Sequence, residues 1–372
     1  MKTKPNKKIR YAVVGLGHIA QVAVLPAFKN AKSNSELVAL VSGDKKKLTK
    51  LGKQYKVTNL FSYKDYDGLL QSGLIDAVYI CTPNTEHRDL AVKAAQSGIH
   101  VLVEKPLATT EADCLAMIKA TESTKTKLMV AYRLHFEKAN LTAIDLIKKG
   151  KIGEPRIFNS TFTYQITDRE NIRLMPETGG GPLFDIGTYC INASRYLFGE
   201  EPEEVFAMTA SHPQDDRFKE VEEMAAVTLR FPKQKIANFI VSFGTEASAN
   251  FDVFGTKGCL CLENAYEYKE DMTMTVTVKD KDKVREFKKK DQFAAELVYF
   301  SDCVLKNKNP EPSATEGLND VKIVNAIFKS AQTGRVVSLK QTRKTIRAHK
   351  GQTINRPAHR KPKTVHVESP HN

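Results

Sequence analysis

The feature that most constrains the fold of this 372-residue chain is a glycine pattern, Gly15-Leu16-Gly17-His18-Ile19-Ala20. It directly follows Ile9 to Val14, a short apolar run rich in β-branched residues, which predicts a buried strand. An apolar-periodic helix begins behind the pattern. In this context the first glycine permits a tight turn, and the second lets backbone N–H groups approach a pyrophosphate. The small third residue lets the helix pack on the strand, and the helix N-terminus faces the phosphates. The sequence therefore predicts a dinucleotide-binding turn.

The end of the second predicted strand, Glu36 to Val41, bears on which dinucleotide is bound. NAD sites usually place an acid there, which accepts a hydrogen bond from the ribose 2′-hydroxyl. Here the chain continues with Ser42-Gly43-Asp44-Lys45-Lys46-Lys47. A hydroxyl and a cluster of lysines suit a 2′-phosphate, so the hypothesis is NADP. NAD stays possible, with Asp44 on the ribose and the lysines on a solvated helix face.

Polar residues also follow the next buried strands, where open α/β sheets bind ligands. The strand Leu74 to Cys81 ends in Thr82-Pro83-Asn84-Thr85-Glu86-His87, and the strand His100 to Val103 ends in Glu104-Lys105-Pro106. A lysine at that position can reach into the cleft, where its ammonium can polarise a carbonyl or favour ionisation of a hydroxyl. The alternative is a surface lysine paired with Glu104.

The repeated strand–helix units predict a doubly wound parallel sheet in a Rossmann domain over residues 9–132. Arg133 lies just past the last of these strands, Lys127 to Tyr132. Beyond Gly150, strand-like runs follow one another without helices between them, which indicates a large, open and mostly antiparallel sheet. The chain is thus predicted to be α/β, with a substrate-binding and oligomerisation domain of α+β character over 133–340. The free face of its sheet is either solvated or an oligomer interface.

A glycine-rich segment, Gly179 to Tyr189, lies inside the second domain. Its glycines free the backbone for a close approach to a flat group, and a helix is predicted behind them, with Pro182 in the first turn. Asp185 and Tyr189 are four residues apart, so they share one helix face. A carboxylate and a phenol side by side can hold a sugar hydroxyl and move its proton. The alternative is a buried helix with a capping aspartate and a core tyrosine.

The net charge of +14 is concentrated at the end of the chain. Residues Lys340 to Asn372 carry nine Lys or Arg and one acid, so they hold +8 of it. Because this stretch has few apolar residues and no periodicity, we expect a disordered basic tail over 341–372. Such a tail can hold RNA or an acidic partner weakly, but a solvated end without a role is favoured. Nucleic acid is not an expected partner of the rest of the chain.

The composition, 41% hydrophobic and 27% charged, is that of an ordinary soluble protein. No run approaches the length of a membrane span, and the basic extension over residues 1–8 has no apolar signal region behind it. We therefore expect a cytoplasmic protein without membrane contact. The six cysteines are scattered, which favours reduced thiols. No further Cys or His pair completes a zinc set with Cys259 and Cys261, so no metal is expected.

Together these residues resemble the glucose–fructose oxidoreductase/inositol dehydrogenase family, GFO/IDH/MocA, and most of all its glucose–fructose oxidoreductase type. The resemblance runs from about Ile9 to Leu339. Several separate motifs carry it in the right order: Val14-Gly15-Leu16-Gly17, Leu40-Val41-Ser42-Gly43, Glu104-Lys105-Pro106, Tyr132-Arg133 and Gly179 to Glu201, followed by Pro202. It implies two domains and a C-terminal sheet that makes a homodimer or homotetramer.

The resemblance also implies roles for individual residues. Lys105 is expected to touch both the nicotinamide ribose and the reacting hydroxyl, Asp185 to orient that hydroxyl, and Tyr189 to carry its proton; these are the predicted catalytic residues. Ser42 and Lys47 match positions that hold the 2′-phosphate. The full predicted cofactor-binding set is Gly15, Leu16, Gly17, His18, Ile19, Ser42, Gly43, Lys47, Thr82, Pro83, Asn84, His87, Glu104, Lys105 and Arg133. The predicted substrate-binding set is Lys105, Arg173, Asp185 and Tyr189.

The function implied is an NADP-dependent oxidoreductase that moves a hydride between the nicotinamide and a carbon of a sugar or polyol. One alternative is a reductase or dehydrogenase of a non-sugar carbonyl or diol, which would share every motif. Another is a non-catalytic dinucleotide sensor whose basic tail binds nucleic acid. The intact set of Lys105, Asp185 and Tyr189 counts against the sensor. The segment Thr167 to Glu177, a predicted wall of the substrate pocket, is less similar to the family, so the sequence does not identify the substrate.

Overall fold

Two β-sheets organise the chain in a computed structural model that describes residues 7–340, 347–367 and 369. The first sheet is parallel, with the order β3-β2-β1-β4-β5-β6. Its strands are β1 (Ile9–Val14), β2 (Ser35–Val41), β3 (Asn59–Phe61), β4 (Ala77–Ile80), β5 (His100–Glu104) and β6 (Leu128–Ala131). The order reverses between β1 and β4, which is where doubly wound sheets bind dinucleotides. The predicted Rossmann domain is confirmed, and the short edge strand β3 is an addition to it.

The helices of this domain connect its strands: α1 (Leu25–Ala31), α2 (Lys45–Tyr55), α3 (Tyr66–Gln71), α4 (His87–Gln96) and α5 (Glu111–Thr124). The turn before α1 needs its first glycine, because Gly15 has φ of 90° and a Cβ there would lie 2.7 Å from the carbonyl oxygen of Cys81. A π-helical turn, Ala20–Val24, leads into α1. Pro26 is the second residue of α1 and closely follows the π-helical turn, so its missing N–H falls where the α-helical hydrogen-bond pattern is already interrupted.

The second sheet has the order β14-β13-β12-β11-β7-β10-β9-β8-β15. Its strands are β7 (Pro155–Thr163), β8 (Glu204–Ala210), β9 (Met224–Phe231), β10 (Lys235–Ser242), β11 (Ser248–Gly255), β12 (Gly258–Glu263), β13 (Met272–Val278), β14 (Lys281–Phe287) and β15 (Val337–Ser338). Neighbouring strands are antiparallel except β7 and β10, which pair in parallel with Ile236 opposite Ile157. The large, mostly antiparallel sheet is therefore confirmed.

The two faces of the second sheet differ in character. Large side chains such as Phe158, Phe239 and Phe251 are buried on one face, where they form the core of the domain. Alternate residues on the other face include exposed apolar side chains: Ile157, Phe206, Met208, Ile240 and Phe254. The strand alternation is thus apolar on both sides, which is unusual for a face in contact with water alone.

Four further helices, α6 (Lys138–Lys148), α7 (Thr188–Phe198), α8 (Gln292–Leu305) and α9 (Ala314–Thr333), join the two halves. Phe293, Leu297 and Phe300 of α8 are buried in the core of the Rossmann sheet. Ser301 of the same helix lies 2.7 Å from the hydroxyl of Tyr11 in β1. The predicted division at residue 132 therefore separates the two sheets. The hydrophobic cores do not divide there, because α8 from the second half of the chain completes the core of the N-terminal domain.

The structure differs from the predicted disorder of the basic tail in the part of the tail that it describes. Residues 347–367, here called the C-terminal strap, lie against the body of the protein. Gln352 and Val365 are buried, and Arg347 forms an ion pair of 2.5 Å with Glu201. Composition predicted disorder because the few apolar side chains of the strap give no periodic signal, whereas polar contacts with the body hold it. The predicted disorder of residues 341–346, 368 and 370–372 lies outside the described residues, as do residues 1–6 of the N-terminal extension.

In the described ranges, the helices are all too short or too polar to cross a bilayer. The same ranges hold no cluster of three or more His, Cys, Asp or Glu side chains placed to bind a metal ion. The six cysteines are unpaired thiols, and Cys259 and Cys261 are partly exposed.

A candidate dinucleotide and substrate site

A cleft of about 890 Å³ lies at the carboxyl ends of the parallel strands, with both domains contributing to its walls. Its size is that of a typical cofactor and substrate site. The predicted cofactor residues that line it are Gly15, Leu16, Gly17, His18, Ile19, Ser42, Gly43, Lys47, Thr82, Pro83, Asn84, Glu104, Lys105 and Arg133. Arg173, Asp185 and Tyr189, the predicted substrate residues of the second domain, line the same cleft. The structure thus brings together almost the whole predicted set.

The glycine turn leaves room for a dinucleotide. A Cβ built on Gly17 would meet only one neighbouring atom, the carbonyl oxygen of Cys81 at 4.0 Å, so the turn faces open space. Opposite it, the buried hydroxyl of Thr82 has no hydrogen-bond partner among the described residues. A buried polar atom of this kind normally finds a partner in a ligand or water. The residues present therefore fit a bound dinucleotide.

At the other end of the turn, the carboxylate of Asp44 is already engaged. Its Oδ1 accepts hydrogen bonds from the backbone N–H groups of Lys46 and Lys47, at 2.7 and 3.0 Å, and so caps the N-terminus of α2. The N–H of Lys47 in particular holds the pKa of Asp44 below its usual value. Its Oδ2 lies 3.1 Å from Nδ1 of His366. Because both oxygens have partners, Ser42 and Lys47 are the groups left to meet the adenosine ribose.

Asp185 is the centre of the opposite end of the cleft. Its Oδ1 accepts a hydrogen bond of 2.6 Å from Nζ of Lys105, and its Oδ2 accepts from Nε of Arg173 at 2.7 Å and from the hydroxyl of Tyr164 at 2.8 Å. Burial alone would raise the pKa of Asp185, but the charges of Arg173 and Lys105 outweigh it and hold that pKa well below its usual range. Asp185 is therefore an ionised anchor and not a proton acceptor near neutral pH.

Lys105 is held with two of its N–H groups on one residue. Besides the carboxylate bond, Nζ donates at 2.7 Å to the backbone carbonyl oxygen of Asp185. Burial lowers the pKa of Lys105, but the negative charge of Asp185 more than offsets this, so the pKa is raised overall. An ammonium has three N–H groups. Among the described residues, two are used, which leaves the third for a ligand in the cleft.

Tyr189 lies between two cations. Nε of Arg133 donates at 3.1 Å to its hydroxyl oxygen, and the guanidinium carbon lies 4.9 Å from the ring centroid. Nζ of Lys105 lies 5.3 Å from the same centroid. Because the hydroxyl oxygen accepts from Arg133, its own proton is left to point elsewhere, and the ring lines the cleft. A phenol held in this way can give its proton to a ligand or take one up.

Arg133 lines the cleft and is also held by contacts within the protein, whereas His87 lies outside the cleft lining. Arg133 is almost fully buried and is fixed by the side chain of Gln292 and the carbonyl of Tyr266, so it positions Tyr189. His87 is fully buried and does not line the cleft. Its ring nitrogens lie 2.9 Å from the carbonyl oxygen of Pro106 and 3.2 Å from that of Thr82. Burial lowers the pKa of His87 to about 4. A neutral ring donates from only one nitrogen, so His87 hydrogen-bonds to one of these two carbonyls and packs between the loops after β4 and β5.

Sequence reasoning missed several residues of the site. Tyr164 directly follows β7, and its alternation with Phe162 could have placed its hydroxyl on the cleft side. The pairing of Arg133 with Tyr189 spans 56 positions and left no local signal. His366 and Val367 of the C-terminal strap also line the cleft, more than 300 residues from Asp44 in the chain.

Two family models match the chain. The oxidoreductase family model with an NAD-binding Rossmann fold, GFO/IDH/MocA, matches residues 9–132, and the model of the GFO/IDH/MocA C-terminal domain matches residues 140–261. The sequence is 30% identical to D-xylose 1-dehydrogenase [NADP(+)] of Haloarcula marismortui, over 91% of this chain and 95% of that relative. It is 27% identical to D-xylose 1-dehydrogenase (NADP(+)) 2 of Haloferax volcanii, over 88% and 99%.

Solved structures have the same architecture. The aldose–aldose oxidoreductase of Caulobacter crescentus, crystallised in complex with glycerol, matches with a TM-score of 0.85 and 37% identity. The match covers 90% of this chain and 100% of that one. Both domains, and not the Rossmann half alone, are therefore shared with this structure.

Proposed function

The chain belongs to the GFO/IDH/MocA family of oxidoreductases, and from that premise we propose that it is an NADP-preferring oxidoreductase of a sugar or polyol. The observation that carries the proposal is the arrangement of Lys105, Asp185 and Tyr189 on one wall of the cleft. A structural role alone would not require a lysine, a carboxylate and a phenol to converge there. The glycine turn at the other end of the cleft supports a dinucleotide along its length.

The proposed roles follow from the contacts of each side chain. Bound NADP supplies the nicotinamide carbon that accepts or donates the hydride. When a hydroxyl is oxidised, Tyr189 in its ionised form takes the proton of that hydroxyl, and when a carbonyl is reduced, the phenol gives its proton to the oxygen that becomes the hydroxyl. The oxygen of Tyr189 is fixed by Arg133, and its ring lines the cleft. The remaining N–H of Lys105 donates to the same substrate oxygen and stabilises the negative charge that develops on it. Asp185 keeps Lys105 charged and aimed, and no proton is assigned to it.

The lining of the cleft supports a substrate with several hydroxyl groups. The segment before Asp185 in the chain contributes Asp168, Glu170, Asn171 and Arg173 to the wall, so the wall carries both hydrogen-bond donors and acceptors. Such a wall suits a ring or chain of hydroxyls better than an apolar carbonyl compound. The similar proteins named above are a D-xylose dehydrogenase and an aldose–aldose oxidoreductase. Aldoses of five and six carbons are therefore the substrates that we propose first.

We further propose that the second domain, 133–340, carries both the substrate wall and an oligomer interface. The exposed apolar side chains on the open sheet face support a homodimer or homotetramer formed through that face. The six unpaired thiols support a reducing, cytoplasmic location.

The experiment that tests the proposed function is a substrate panel with purified protein. NADP⁺ or NAD⁺ is mixed with xylose, glucose, other aldoses, polyols and a trans-dihydrodiol, and the absorbance at 340 nm is followed. We expect turnover with at least one aldose or polyol and a higher kcat/KM for NADP⁺ than for NAD⁺. Turnover of the dihydrodiol alone, or of none of these with either dinucleotide, would remove the sugar assignment.

A further inference from the structure

The end of the C-terminal strap is fixed on the Rossmann domain by one buried glutamine. Gln21 is 1% exposed, and its amide makes a reciprocal pair with the backbone of Val365. Nε2 donates to the carbonyl oxygen of Val365 at 2.9 Å, and Oε1 accepts from its N–H at 2.7 Å. The side chain of Val365 is buried in the same core as β1 and α1. The position of the next residue, His366, is therefore set by the fold.

His366 stands at the adenosine end of the cleft. It lines the cleft together with Val367, Ser42 and Lys47, and its Nδ1 lies 3.1 Å from Oδ2 of Asp44. Its side chain is 45% exposed and that of Asp44 is 32% exposed, so a ligand can reach the pair. Asp44 is the only acid of the loop after β2, residues 42–47. It is the acid that an NAD site would use to accept from the ribose 2′-hydroxyl.

The contact changes what Asp44 can do. An unpartnered carboxylate oxygen at this place accepts from a 2′-hydroxyl and repels a 2′-phosphate, and both effects favour NAD. Oδ1 of Asp44 accepts hydrogen bonds from the N-terminus of α2, so the partner of Oδ2 determines how Asp44 affects the preference between NAD and NADP. The imidazole of His366 occupies it. With one lone pair of that oxygen used and its charge partly offset, Oδ2 competes less with Ser42 and Lys47 for the ribose.

We propose that His366 is a cofactor-specificity residue: by occupying Oδ2 of Asp44 it turns the preference of the site from NAD towards NADP. The inference rests on the proposed function only in that the cleft must bind a dinucleotide. It assigns a role in dinucleotide selection to the strap, outside the strand–turn–helix unit that contains the rest of the adenosine site.

The test is the affinity for NADPH and NADH, measured by fluorescence titration of the full-length chain. In His366→Ala we expect the ratio of NADPH to NADH affinity to fall roughly tenfold, the size of one hydrogen bond to a charged group. The matched control is His359→Ala, because this histidine lies on the same strap, does not line the cleft and bonds only to the neighbouring Arg360 carbonyl among the described residues. Its ratio should equal that of the wild type. An unchanged ratio in His366→Ala overturns the inference.

A double-mutant cycle distinguishes the proposed route from a direct contact. Asn keeps the helix-capping oxygen, so Asp44→Asn removes the charge without removing the cap. If His366 acts through Asp44, His366→Ala should change the ratio little in the Asp44→Asn background. The same tenfold fall in both backgrounds overturns the inference, because His366 would then act without Asp44. If the wild type binds neither dinucleotide, the proposed function fails. If the wild type binds NADPH but His366→Ala has the same ratio of NADPH to NADH affinity, the inference alone fails.

Discussion

The division of labour between Asp185 and Tyr189 is decided by charge at the level of single residues. Asp185 is 18% exposed as a side chain and bonds two cations, Lys105 and Arg173. A buried carboxylate in that position is ionised, and removing one partner of such a cluster costs more than the intact cluster contributes. Tyr189 has instead one fixed bond, from Arg133, and a face on the cleft. The phenol is therefore the group with a proton to exchange.

Replacing Asp185 by Asn should destabilise the fold in a pH-dependent way. At pH 7 we expect the free energy of unfolding to fall by about 3 kcal/mol, because Lys105 and Arg173 lose their counter-charge. The folded-state pKa of Asp185 is depressed, so its stabilisation is present above the unfolded pKa of about 3.9 and declines as the pH falls through the folded pKa. Urea unfolding of both proteins from pH 7 to pH 3 should therefore show a difference that shrinks below about pH 4.

The control for that series is Asp89→Asn, because the Asp89 side chain is 71% exposed. It should change the free energy of unfolding by less than about 1 kcal/mol at any pH. A wild-type advantage over Asp185→Asn that is equally large at pH 7 and at pH 3 would contradict the assignment of Asp185 as an ionised anchor.

At the level of elements, the site depends on loops that are tied to one another. His87, at the start of α4, is buried between the loops after β4 and β5, within hydrogen-bond distance of a carbonyl oxygen in each. Asn84 donates at 2.8 Å to the carbonyl of Gly179, which ties the Rossmann domain to the glycine-rich segment. The strap holds the adenosine end through Gln21. These contacts link the loops and segments that line the cleft, and such preorganisation lowers the cost of binding.

How much of the fold and of the site could be predicted depends on how far apart in the chain the residues of each pattern lie. The strand–turn–helix around Gly15, the lysine at the end of β5, and the shared helical face of Asp185 and Tyr189 are patterns within a few residues, and they lie together in one cleft. The pairing of Arg133 with Tyr189, the parallel pair of β7 and β10, and the contact of His366 with Asp44 depend on long-range packing. Local sequence carries no information on such pairs. The strap is therefore predicted to be disordered from its composition, because its contacts with the body of the protein leave no pattern in the sequence.

At the level of the whole molecule, the two sheets have different tasks. The parallel sheet has helices on both faces and supports the cleft, whereas the nine-stranded sheet has one core face and one open face. α9 packs against both cores, with Leu318 on the Rossmann side and Ile327 on the other. The fold therefore joins its halves internally and leaves the open sheet face as the surface that a second copy can cover.

The oligomer proposal predicts the effect of charge on that face. Met208 in β8 and Ile240 in β10 are 66% and 48% exposed on the open face, with only β9 between their strands. Because burying two carboxylates per subunit is costly, the double variant Met208→Glu with Ile240→Glu should be a monomer by light scattering. Leu115→Glu on α5, a 53% exposed side chain that is not part of the open sheet face, should keep the wild-type mass. A monomeric wild type, or a double variant of unchanged mass, would contradict the proposed interface.

The most direct test of the account is the kcat of Tyr189→Phe with NADP⁺ and the best aldose of the panel, measured beside its affinity for NADPH. Removing the hydroxyl that exchanges the proton should lower kcat by roughly 10²- to 10⁴-fold and leave NADPH affinity unchanged. Tyr55→Phe on α2, away from the cleft, should turn over like the wild type. A Tyr189→Phe variant with full kcat would contradict the account, because the proton would then move through another group.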